Sequence, residues 1–185
     1  MSINEAPSVQ TGTRKWRLLN LFRKDRSGTS AIEFGIVAAP FFALLLAIIE
    51  VSLVFFGGFT LENAVDQAGR MIRTGQAQEQ GFNQDQFKNE VCSNVFALFD
   101  CAGSLKVEVL RFDDFNGISL SDPIDGSGNL RNDFGYDHGD GGDVVIVRVF
   151  YEWDLIAKFP GLLGNMENGN RLVVATTTFR NEPFD

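Results

Sequence analysis

The chain has 185 residues, 44% of them apolar and 22% charged, which suits one modest folded unit with something attached and argues against disorder. A net charge of −8 disfavours nonspecific nucleic-acid binding. One histidine and two cysteines leave too few ligands for most zinc sites and for any multi-disulfide scaffold. The charge is also uneven. The segment before Ser27 holds six basic residues (Arg14, Lys15, Arg17, Arg23, Lys24, Arg26) and two acidic ones (Glu5, Asp25), giving +4, and the remainder holds ten basic against 22 acidic, giving −12. Such asymmetry points to two environments along one chain.

Residues 34–49 carry no charge, and after Glu50 the apolar run resumes through residues 51–59. As a helix these positions extend roughly 39 Å, at about 1.5 Å per residue, enough to span a hydrocarbon core of about 30 Å with tilt or overhang. The basic cluster before the run and the acidic remainder after it predict a cytoplasmic N-terminus with the bulk outside. A buried core helix is the plainer alternative, but so small a remaining domain would hardly cover the helix on every side. A signal peptide fits poorly, because the run exceeds the usual apolar region and no A-x-A-like site follows. The reading is a single-span anchor. Pro40, within the helix, removes one amide donor and crowds the carbonyl of Ile36; an incidental proline and a functional bend both stay open.

Glu33 opens the apolar run and Glu50 interrupts it. A carboxylate in hydrocarbon needs a partner, a proton or a route to water. Seventeen residues apart, at about 100° per residue, the two fall on different faces and do not form a catalytic pair. By position alone Glu33 reads as either a solvated helix end or a paired group, and Glu50 as a contact to a partner helix.

The setting of Glu33 is Arg26-Ser27-Gly28-Thr29-Ser30-Ala31-Ile32-Glu33-Phe34. Glycine ends a basic leader, four residues intervene, and Glu-Phe opens the apolar stretch. This resembles the cleavage motif of type IVb prepilins. The continuation through Gly35-Ile36-Val37-Ala38-Ala39-Pro40 to Ile48-Ile49-Glu50 is similar to the TadE-like pseudopilins of tight-adherence (Tad, or Flp) pilus systems. The resemblance implies cleavage between Gly28 and Thr29 by a membrane-embedded prepilin peptidase. Glu33 would then meet a terminal amine and set the register of assembly, with Phe34 beside it and Glu50 as a further assembly residue. Opposite charges in low dielectric hold register because either one unpaired is costly.

Beyond the membrane Leu61, Ala64, Val65, Ala68, Met71 and Ile72 recur at helical steps, with Gly75 as the expected stop. Asn83 and Gln86 have capping-box spacing ahead of a second helix whose apolar face is Phe87, Val91, Val95, Leu98 and Phe99. Cys92 and Cys101 could bridge only if the chain turns back after about Phe99, since on one helix they would lie roughly 13 Å apart. One disulfide is the simplest outcome in an oxidising compartment, and two buried thiols are the alternative. Strand patterns follow at residues 105–112, 144–153 and 172–179. The last ends in Arg180-Asn181-Glu182-Pro183-Phe184, which also resembles the TadE-like C-terminus. Tyr151 and Trp153 share a face with Val145, Val147 and Val149 and read as core. Residues 113–143 form a long loop rich in Asp, Gly and Asn. Its Asp137–Asp143 portion reads as a solvated turn, with calcium and partner docking as alternatives.

No P-loop, nucleophile elbow, H-E-x-x-H or dinucleotide fingerprint appears, and His138 has no evident nucleophile nearby, so no enzyme, cofactor, metal or small-molecule substrate is expected. The expected fold is α+β: a long N-terminal helix, membrane-embedded in its first half and continuing into a head, packed with a second helix on a small antiparallel sheet. The expected organisation is a basic cytoplasmic leader over residues 1–28, a transmembrane helix over 29–59 and a head over 60–185. The resemblance implies a minor pilin or pseudopilin of a bacterial inner membrane, single-pass, with the head periplasmic. Retention at the membrane and incorporation into the pilus both stay open. Implied partners are the prepilin peptidase, other Tad pilins, the inner-membrane assembly platform and membrane lipid. The competing reading is an uncleaved membrane-anchored periplasmic binding module that uses the acidic loop.

Overall fold

The computed structural model describes residues 28–95, 99–101, 103–156, 158 and 163–184. The basic leader before Gly28 and Leu98 of the expected second apolar face lie outside them. In chain order the elements are α1 (Thr29–Arg73), α2 (Gln76–Glu79), α3 (Gln84–Ser93), β1 (Leu105–Phe112), a 3-10 turn at Phe115–Gly117, β2 (Val144–Trp153) and β3 (Arg171–Arg180). The strands form one antiparallel sheet in the order β1-β2-β3, so the fold is α+β. The chain divides into two compact units, Met1–Leu46 and Ala47–Asp185. In the first, the described residues are the apolar opening of α1; the second holds the rest of α1, the sheet and its core.

Within the second unit α1 buries Leu61, Ala64, Val65, Ala68 and Ile72 at three- and four-residue steps. These pack with Phe87 and Val91 of α3 and with the sheet residues Leu105, Val107, Val109, Val145, Val147, Val149, Tyr151, Val173 and Ala175. Helix and sheet come close where α1 has a glycine: a Cβ on Gly57 would sit 2.6 Å from the Trp153 ring. The helix ends at Arg73, two residues before the expected stop, with Arg70 and Arg73 in its last turn, where cations suit the helix dipole. Gly75 follows at φ +81°, the left-handed conformation that glycine adopts without penalty.

The capping box of α3 is formed: the Asn83 side chain accepts from the Gln86 N–H, and the Gln86 side chain accepts from the Asn83 N–H, both at 2.9 Å. The helix is shorter than its pattern suggested, ending at Ser93 rather than near Phe99. Ser93 Oγ and Asn94 Nδ2 both donate to the Glu90 carbonyl, offering it a side-chain partner where the helix ends. The early exit turns the chain back, and Cys92 and Cys101 are joined by a disulfide with Cα atoms 6.0 Å apart.

β2 is buried on both faces from Val144 to Phe150. Its far face is covered by the 113–143 segment, which therefore does more than turn in solvent. Phe134 stacks on Phe150 with ring centres 4.8 Å apart, and Tyr136 bridges to Val109 along the outer edge of β1. Under this cover Glu108 and Arg148, cross-strand partners, form an ion pair at 4% and 7% exposure. The Arg148 Nε donates to Glu108 Oε2 at 2.6 Å, and both terminal nitrogens donate to the Ser121 carbonyl at 3.1 Å.

Candidate functional site: the apolar helix and its acidic residues

Gly28 and Thr29 stand at the start of α1. The Gly28 carbonyl accepts the Ile32 N–H at 3.1 Å, the first bond of the helical ladder, and a side chain at Gly28 would meet nothing within 4 Å. From there the helix is bare. Glu33 is exposed, as are Phe34 at 71%, Ile36 and Val37. Phe41, Phe42, Leu44 and Leu46 are exposed in the same way. Apolar side chains on every face of such a length are what a lipid-facing helix carries, and α1 is long and apolar enough to cross a membrane. Thr29 and Glu33 are four residues apart on one helix, neighbours one turn from each other.

Glu50 is placed differently, being only 5% exposed. One of its carboxylate oxygens accepts the backbone N–H of Ile156, in the segment after β2. A carboxylate expected to meet a partner helix thus has a partner within its own chain. No pattern in the sequence announces that contact, because the donor is a backbone amide 106 residues away.

The acidic segment 113–143 is organised by its own aspartates. Asp114 accepts from the Asn116 and Gly117 amides, and Asp122 from Ile124. Asp125 accepts from Ser127 and Asn129, Asp137 from Gly139, and Asp143 from Asp140. Four of these five carboxylates bond amides two to four residues on, in place of a backbone turn, and Asp143 bonds one three residues back. Among the described residues no group of three or more His, Cys, Asp or Glu is arranged to hold a metal ion. Asn181, 2% exposed, ties the segment down by donating to the carbonyls of His138 and Asp140, each at 3.0 Å. Tyr151 is 7% exposed and packs edge-on to Phe99, and its hydroxyl accepts the Asp100 N–H. It is core, as expected, and Trp153 lies half-buried over Gly57.

Neither a curated protein nor a solved structure matches the chain. The match found is confined to α1 and the glycine before it, leaving out the C-terminal Arg180–Phe184 stretch: residues 28–70 match the family model described as TadE-like protein, and in this segment the chain is similar to the TadE-like proteins of Tad pilus systems.

Proposed function

We propose that the chain is a minor pilin or pseudopilin of a Tad-type pilus, inserted through α1 with its basic leader in the cytoplasm and its head in the periplasm. A prepilin peptidase hydrolyses the Gly28–Thr29 peptide bond, leaving the carboxylate on Gly28 and an ammonium on Thr29. The cut chain then assembles by packing of α1 against other pilin helices. The observation that carries this reading is the exposed apolar helix that begins directly after Gly28, within the 28–70 segment similar to TadE-like proteins. After cleavage the Thr29 ammonium is one helical turn from Glu33 of its own chain and can meet Glu33 of a neighbour. In a low-dielectric setting either charge alone costs several kcal/mol, so subunits settle where the pairs close. Five of the eight aspartates of 113–143 bond amides of their own segment, which favours this reading over a ligand-binding module.

The test is the mass and N-terminal sequence of the protein from its native host, with and without the prepilin peptidase. A peptidase-dependent start at Thr29 is expected. Residues 1–28 retained in both strains would refute processing and leave an uncleaved anchor.

A further inference from the structure

We infer that the segment directly after β2, Asp154 to Ile156, is a foot that rests in the surface of a phospholipid bilayer beside α1, with Ile156 inserted among the acyl chains. Ile156 is 88% exposed, more than any other large apolar side chain among the described residues. It is also held in place, because its N–H is bonded to Glu50 on α1. Flanking Glu50 the helix carries exposed apolar residues of its own, Ile49 at 47% and Leu53 at 37%. The uncovered side chain therefore adjoins an uncovered apolar surface, and both call for the same cover.

The occupant follows from position. Twenty-one helical residues, 29–49, precede Glu50, and at 1.5 Å each they extend roughly 31 Å, the hydrocarbon thickness of a bilayer, about 30 Å. Glu50 and Ile156 thus fall at the outer edge of the hydrocarbon, where a carboxylate is tolerable if a donor meets it. The chemistry flanking Ile156 is that of an interface. Lys158, two residues beyond Ile156, carries an ammonium suited to the phosphate side of that boundary. Lys158 is 2.7 Å from Asp154, and both side chains are open to solvent.

This rests on α1 spanning a bilayer, and the experiment separates the two claims. The full chain is placed in vesicles of phosphatidylethanolamine and phosphatidylglycerol, with an environment-sensitive fluorophore on a cysteine introduced by Ile156→Cys, Leu44→Cys or Ser127→Cys. Quenching is read with nitroxide lipids labelled near the headgroup or deep in the acyl chain. The expected result is quenching at 156 mainly by the shallow nitroxide, at 44 mainly by the deep one, and at neither depth for 127. A label at 156 that stays unquenched while 44 is quenched overturns the foot and leaves the membrane helix standing, with a protein partner as the cover. Loss of quenching at 44 overturns both.

Discussion

Replacing Arg148 by methionine tests the far side of the sheet. Arg148 Nε is 2.6 Å from Glu108 Oε2, the Ser121 carbonyl takes two further bonds, and the guanidinium carbon lies 5.3 Å from the centre of the Phe150 ring. Arg148→Met keeps most of the volume and strands the Glu108 carboxylate at 4% exposure. Breaking a buried pair in this way costs about 3–5 kcal/mol. The Ser121 carbonyl adds little, because Ser121 is exposed and water can take the place of the guanidinium. Glu108→Leu is expected to cost less, since the guanidinium left behind keeps Ser121 and the Phe150 face. The double variant removes both charges and is expected to fall within about 1 kcal/mol of the parent, as apolar replacements of such pairs often do. For a chain of this size each kcal/mol moves the midpoint by about 2–4 °C, so Arg148→Met alone should lower Tm by roughly 6–20 °C. Thermal and urea unfolding of the four proteins in one detergent, followed by near-UV circular dichroism, gives the cycle. An Arg148→Met cost below about 1 kcal/mol, or a double variant as costly as the two singles combined, would refute a desolvated pair.

Cys92→Ser or Cys101→Ser opens a loop with a sequence separation of nine and is expected to cost about 2.5–3 kcal/mol on the chain-entropy account; the shift in urea midpoint of the parent on adding reductant, multiplied by the m-value, should give the same energy. Gly57→Val drives a side chain into the Trp153 ring, whose nearest atom is 2.6 Å from the added Cβ, and a loss of about 1–3 kcal/mol is expected, with an altered Trp153 signal in a Trp16→Phe background. Burial pushes the Tyr136 phenol up to about 12. Because the folded state holds that proton more tightly than the unfolded chain, its contribution to stability is complete below about pH 10 and is lost as pH rises toward about 12. Absorbance titration at alkaline pH should show a late tyrosine that disappears in Tyr136→Phe, and the corresponding stability loss should disappear with it.

The helices and strands were legible because their signals are local. Leu61, Ala64, Val65, Ala68 and Ile72 keep one helical face, Asn83 and Gln86 cap in the expected spacing, and β1 alternates. Gly28, Thr29, Glu33 and Phe34 rest on a motif, and their exposure at the start of α1 is what the structure adds. What local pattern concealed is long-range. Glu108 reads as a solvent-facing member of an alternating strand, yet the 113–143 segment covers it and supplies Arg148 with the Ser121 carbonyl. A hint lay in β2, where Val144, Ile146 and Phe150 keep the second face apolar and so ask for burial on both sides. α3 stops at Ser93, where the Ser93 and Asn94 side chains both donate to the Glu90 carbonyl, contacts that apolar periodicity does not record. The partner of Glu50 is a backbone amide, which carries no residue-type signal at all.

The sharing of α1 between a bare apolar end and the core residues Leu61 through Ile72 has a mechanical consequence. Within the second unit a load on α1 falls on the interface that Leu61 through Ile72 make with α3 and the sheet. Yielding then requires several interlocked side chains to slide together, with Gly57 held under the Trp153 ring and Glu50 tied to Ile156. A subunit drawn from a bilayer by its helix would bring its head with it, and a cut anywhere between residues 60 and 73 would take away the core and the handle together.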